Sequence, residues 1–217
     1  MDLMGITKRT IKNAVGYKAR AVVILMYHRV VDVSSTAHQI ATSPDHFHQH
    51  MEHLQSNYRP MRLTDVAAAL DENSLPRRGV VVTFDDGYID NYTFAFPILE
   101  KFQIPATIFV TSGYIGRNRE YWWDELERIF FNSEHLPEKL KTSINGTDIE
   151  LQLPTTTKEQ RRLTHKSMHA FLRNLRSEDR DNVLSSLLTW AGAEENYRQE
   201  YRCVNTDEIL KLSQSSV

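Results

Sequence analysis

Hydrophobic residues in this chain are arranged in two ways. In its first half they gather in short continuous runs: Ala21-Val22-Val23-Ile24-Leu25-Met26, Val80-Val81-Val82-Thr83-Phe84 and Ala106-Thr107-Ile108-Phe109-Val110. Runs of this length without polar alternation predict buried strands of a parallel sheet covered on both faces. Helical spacing appears between them. Phe47, Met51 and Leu54 form one apolar stripe behind Ser43-Pro44, a cap and first-turn pair. Met61-Arg62-Leu63 predicts a short strand, and Thr64 a cap for a helix through Val66, Ala69 and Leu70. Tyr92 to Lys101 predicts a helix with Pro97 in its first turn or at a kink. Strand, helix and strand in this order form a βαβ unit with a right-handed crossover.

After Gly116 the pattern changes. Tyr121 to Phe131 reads as a helix crowded with aromatics. Asn145-Gly146, between Leu140–Ile144 and Thr147–Leu153, is the strongest hairpin signal in the chain. Two polar-rich amphipathic helices follow, over 158–176 and 178–191, and Thr206-Asp207-Glu208 predicts the cap of a last helix over 209–212. The expected organisation is a basic segment (1–20), an α/β part (21–116), a mostly helical insertion with a hairpin (117–205) and a return to the α/β part (206–217).

Composition narrows the function classes. A net charge of -2 gives no pull towards nucleic acid. The single cysteine, Cys203, excludes an internal disulfide framework and a cysteine-rich zinc site. No apolar run reaches the ~18 residues of a membrane span. Lys8, Arg9, Lys12, Lys18 and Arg20 precede the first strand without an apolar core, so this segment does not read as a secretory signal. With Leu3, Ile6, Ile11 and Val15 on one side it suggests a basic amphipathic helix able to touch a membrane surface. The location this implies, cytoplasmic or membrane-associated at the cell envelope, stays open.

The candidate chemistry sits where the runs end. Val80 to Phe84 leads into Asp85-Asp86-Gly87-Tyr88, and carboxylates at the carboxyl end of a parallel strand stand where α/β folds place their sites. Successive strand residues face opposite ways, so the two acids share a face only if the backbone turns between them, with Gly87 supplying freedom. The alternative is an ordinary Asp-Asp-Gly turn. His28 and Arg29 leave the first run in the same manner, and His28 reads equally as a packing histidine. His46, His48, His50 and His53 share one helix, which fits a solvated histidine-rich surface better than a metal site.

Thr83-Phe84-Asp85-Asp86-Gly87-Tyr88 resembles the first motif of the polysaccharide deacetylase family, carbohydrate esterases with a NodB-type domain. Leu25-Met26-Tyr27-His28-Arg29-Val30 is similar to a first strand exit in one branch of that family, and Pro105-Ala106-Thr107-Ile108-Phe109-Val110 to its next strand. The resemblance covers about residues 20–116. It implies an α/β fold, a partial distorted (β/α) barrel carrying the helical insertion, and metal-dependent hydrolysis of N-acetyl, sometimes O-acetyl, groups on a sugar polymer. By this resemblance Asp85 is the general base, Asp86 a ligand of a divalent metal, usually zinc, and Tyr88 the donor of a backbone N–H near the oxyanion. His28 joins Tyr88 as a substrate-binding candidate, and the implied partner is an acetylated glycan.

The family's second motif, His-[Ser/Thr]-x-x-His, brings two further metal ligands. The histidine pair after residue 86 with that spacing, His165 and His169, lies in a charged helical stretch, with Lys166 after the first His and Ala170 after the second. The chain therefore reads as an N-terminal part of a deacetylase that stops before that motif, with little or no activity alone. The alternatives are a non-catalytic carbohydrate-binding module using Tyr121, Trp122 and Trp123, whose aromatics pack inside the insertion on the competing reading, and a remnant domain.

Overall fold

The computed structural model describes residues 20–32, 40–193 and 197–215. Residues 1–19 of the basic N-terminal segment, and with them its suggested membrane contact, lie outside these residues. The chain divides into two compact units: one runs to Arg117 and resumes at Cys203, and the other is Asn118–Arg202.

The first unit is built on a parallel sheet. Its elements are β1 (Val22–Tyr27), β2 (Arg29–Val30), β3 (Ala41–Thr42), α1 (Pro44–Asn57), β4 (Arg59–Pro60), α2 (Leu63–Asp71), β5 (Gly79–Phe84), α3 (Phe96–Phe102) and β6 (Ala106–Ile108). β1 pairs with β5 over its whole length, Val22 opposite Gly79 and Tyr27 opposite Phe84. The other edge of β5 is shared by β4 at its start and β6 at its end. β2 and β3 form a separate parallel pair. Among the described residues the sheet is open and does not close into a barrel.

Only one of the three apolar runs is buried as its composition predicts. β5 has neighbours on both edges and all six residues are buried. Val80, Val82 and Phe84 pack with Phe47, Met51 and Leu54 of α1 and with Leu99 and Phe102 of α3. β1 differs: Leu25 and Tyr27 pack on this core, but Ile24 and Met26 are 53% and 62% exposed. β6 is half-buried, and Phe109 beyond it is exposed. A continuous apolar run shows that both faces of a strand are apolar; it does not show what covers them.

Several local expectations shift by a residue or two. Ser43 caps α1 as predicted, accepting from the His46 N–H at 3.2 Å. The strand expected at Met61-Arg62-Leu63 is instead Arg59–Pro60, where proline is tolerated at a sheet edge. α2 then begins at Leu63, so Thr64 lies inside the first turn and Arg62 precedes the helix without a side-chain cap. A π-helical turn, Asn91–Ala95, runs into α3, and Pro97 occupies its first turn, where the missing N–H has no helical partner to lose.

The second unit contains α4 (Trp122–Asn132), β7 (Lys139–Ile144), β8 (Thr147–Gln152), α5 (Lys158–Arg173) and α6 (Ser177–Trp190). β7 and β8 pair antiparallel in register, Ile144 opposite Thr147. Asn145 and Gly146 adopt φ of +50° and +73°, the two positive values a tight hairpin turn requires. Leu126, Ile129, Phe130, Leu140, Leu172 and Leu187 form a fully buried core. Tyr121 and Trp122 are buried too, with Tyr121 stacked on Trp123 at 4.8 Å. These aromatics build the unit rather than an exposed sugar platform. Back in the first unit, the last helix is α7 (Thr206–Ser213); Asn205, not Thr206, caps it, in a reciprocal box with Glu208.

Candidate active site

The site grows from the end of β5. The Asp85 N–H donates to the Tyr27 carbonyl at 2.9 Å, extending the pairing with β1 by one residue. The backbone then turns sharply, with φ of +70° at Asp86 and +76° at Gly87. The turn therefore begins at the second carboxylate itself, one residue earlier than glycine placement suggests. Aspartate is among the few residues that visit this region at modest cost. Gly87 is required for a second reason: a Cβ there would lie 3.1 Å from Val110 Cγ1 and 3.2 Å from Val110 Cα.

Neighbouring segments hold the turn in place. The Asp86 carbonyl accepts from the Thr111 N–H at 3.1 Å and faces Cys203 Sγ at 3.9 Å. The Gly87 carbonyl accepts from the Val204 N–H at 2.9 Å. Cys203 is thus a buried packing residue behind the turn.

His28 comes to this turn from the β1–β2 junction, its Nε2 4.0 Å from Asp85 Oδ2 with both side chains partly exposed. The structure brings together His28, Asp85 and Asp86, three of the four residues singled out from sequence. Burial pushes the Asp86 carboxyl above the ordinary aspartate value; His28 opposes this and the Asp85 charge adds to it. The fourth residue, Tyr88, is fully buried, its ring 4.5 Å from the Arg29 guanidinium carbon. The ring is closed off from any substrate, so a contribution from Tyr88 is confined to its backbone.

Sequence reasoning misses Asp90 and Asn91. Both are buried, and they grip the segment that carries His28. Their partners lie some sixty residues upstream, and no local pattern announces such a pairing.

Among the described residues the other histidines take no part. On α1, His50 Nδ1 meets the Tyr27 hydroxyl at 3.1 Å and His48 Nε2 meets Lys101 Nζ at 2.8 Å. Burial pushes the Tyr27 hydroxyl up to about 12. In the second unit His165 packs on Phe131 at 5.1 Å and His169 on Trp122 at 4.8 Å, which makes them parts of an aromatic core. Among the described residues no three His, Cys, Asp or Glu side chains converge in a manner able to hold a metal ion. Catalytic zinc takes three protein donors and leaves one position open. The donors among the described residues do not fit a complete zinc centre.

Residues 72–143 match the family model described as polysaccharide deacetylase. The chain is 32% identical over 108 residues to YxkH of Bacillus subtilis (strain 168), a protein named for polysaccharide deacetylation, with 49% of this chain and 37% of the relative covered. It is 27% identical over 141 residues to the poly-beta-1,6-N-acetyl-D-glucosamine N-deacetylase of Staphylococcus aureus (strain MSSA476), covering 59% of this chain and 47% of that protein. The chain thus spans less than half the length of either relative. Among solved structures, IcaB from Ammonifex degensii is 33% identical, with a TM-score of 0.43 over 51% of this chain and 49% of that one. The stretch that carries β5 and the Asp85-Asp86 turn is similar to the polysaccharide deacetylase family.

Proposed function

We propose that this chain serves the hydrolytic removal of acetyl groups from an N-acetylated glycan. The observation that carries this reading is the Asp85-Asp86 turn at the carboxyl end of β5, with His28 facing it at 4.0 Å. The reaction consumes one water and yields acetate and a free amine. Asp85 is the group that accepts the proton of the attacking water, since it is partly exposed and meets an imidazole rather than a permanent cation. The amine nitrogen takes up a proton as the carbon–nitrogen bond breaks.

Asp86 is the carboxylate proposed to meet a divalent cation, zinc foremost. The described residues do not complete a centre for it, so proton transfer to Asp85 is the one step assigned. A polymer of N-acetylglucosamine is the proposed substrate class, because the Staphylococcus aureus relative is named for one.

Acetate release from N-acetylglucosamine oligomers tests the reading. Slow release by this chain alone is the expected result, given the incomplete donor set among the described residues. Asp85→Asn lowers the rate about 10²–10⁴-fold, the usual contribution of a positioned base. Calorimetric titration with Zn²⁺ reads the second carboxylate without turnover; Asp86→Asn is expected to weaken binding at least about tenfold. If acetate release and zinc binding are the same in the wild type and both variants, the reading is wrong.

A further inference from the structure

The buried groups behind the turn suggest a purpose that goes beyond folding. Arg29 and Asp90 are buried almost completely, and Arg29 Nε donates to Asp90 Oδ2 at 2.8 Å. The other Asp90 oxygen accepts from the Val30 N–H at 2.9 Å and from Asn91 Nδ2 at 3.2 Å. Asn91 Nδ2 also donates to the His28 carbonyl at 2.8 Å. The Tyr88 ring lies against the Arg29 guanidinium. Three consecutive residues, His28, Arg29 and Val30, are therefore held by Tyr88, Asp90 and Asn91. On the other side of His28, the Tyr27 carbonyl receives the Asp85 N–H. The His28 side chain reaches towards the carboxylates, its Nε2 4.0 Å from Asp85 Oδ2.

We infer that Asp90, Arg29 and Asn91 form a clamp that positions the His28 imidazole against Asp85, which makes them positioning residues for the deacetylation proposed above. The inference rests on that reading for its purpose and on the bonds just described for its geometry. An ion pair buried only to stabilise a fold is replaceable by apolar residues of similar volume with little loss. A clamp is not, because its hydrogen bonds fix where His28 stands, and a displacement of about 1 Å in a reacting group costs on the order of 10²-fold in rate.

The double variant Arg29→Met/Asp90→Leu separates the two roles, and Asn91→Ala removes the bond to the His28 carbonyl directly. The readout is the nuclear magnetic resonance signal of the His28 ring Cε1–H, identified by its disappearance in His28→Gln. Both variants are expected to melt cooperatively while that signal moves towards the position of a solvent-exposed imidazole. Where acetate release is measured, kcat falls about 10–100-fold with KM little changed. If the double variant does not fold, Asn91→Ala decides. A folded Asn91→Ala whose His28 signal stays at the wild-type position overturns the inference, and so does a shifted signal with unchanged kcat. Failure of the deacetylase reading shows separately, as acetate release that Asp85→Asn leaves unaltered.

Discussion

In the unit formed by Asn118–Arg202, Glu120 has a fully buried side chain and two guanidiniums hold it: Arg198 Nη2 at 2.7 Å and Arg128 Nε at 3.2 Å. Glu125, nearby in sequence, meets Arg119 Nε at 2.8 Å. In the unit that carries β5, Asp85 meets an imidazole at 4.0 Å. Arginine stays charged at every working pH, so an acid locked to it is a structural part. A carboxylate beside a histidine remains able to accept a proton. The first unit contains both designs, since its buried Arg29–Asp90 pair likewise locks an acid to a guanidinium. The contrast distinguishes acids locked to a permanent cation from an acid that faces an imidazole.

The sharpest test of this contrast is to remove an acid of the first kind. Glu120→Ala strands two arginines against a buried pocket and is expected to destabilise the second unit by about 3–5 kcal/mol in chemical denaturation. Amide exchange at Leu126 to Phe130 reports this unit, and exchange at Val80 to Phe84 reports the other. A cavity in the same core, Leu126→Ala, is expected to cost about 2–5 kcal/mol. Gly87→Ala probes the turn. The left-handed backbone alone costs about 1–2 kcal/mol, and the contact with Val110 adds to it.

Asp86→Asn is expected to act in the opposite direction. Burial raises the Asp86 carboxyl in the folded chain, so the folded state binds more protons than the unfolded one. By linkage, stability then falls as pH rises from the ordinary aspartate value through the raised one. The asparagine variant escapes that loss. It should melt above the wild type at pH 7 and converge with it near about pH 3, where both states carry the proton. A wild type that melts higher at pH 7 would contradict the assignment. The smallest effect belongs to Met26→Ser, at a site 62% exposed, expected within about 0.5 kcal/mol of wild type.

Much of the site can be read along the chain. A buried strand running into two acids and a glycine is legible at Val80 to Gly87, because the strand and its turn involve neighbouring residues. The positive φ at Asp86 is not legible, since asparagine or aspartate before glycine suits several turn types. His28 can be named as a candidate but not placed. Its position depends on Tyr27 pairing with Phe84 and on Asn91 reaching its carbonyl. Asp90 is the clearest omission. In the sequence it is one polar residue at a helix entrance; only folding sets it against Arg29.

By itself the sequence determined the features that span a few residues. The Asn145-Gly146 hairpin, the Ser43 cap and the β5 strand with its acidic exit depend on backbone preferences and hydrogen bonds between near neighbours. Tertiary structure alone decided which apolar run is covered, leaving Ile24 and Met26 open while sealing β5. It also decided which acids meet arginine and which meet histidine. Burial and charge pairing are set by groups that arrive from dozens of residues away, and no periodicity encodes their arrival.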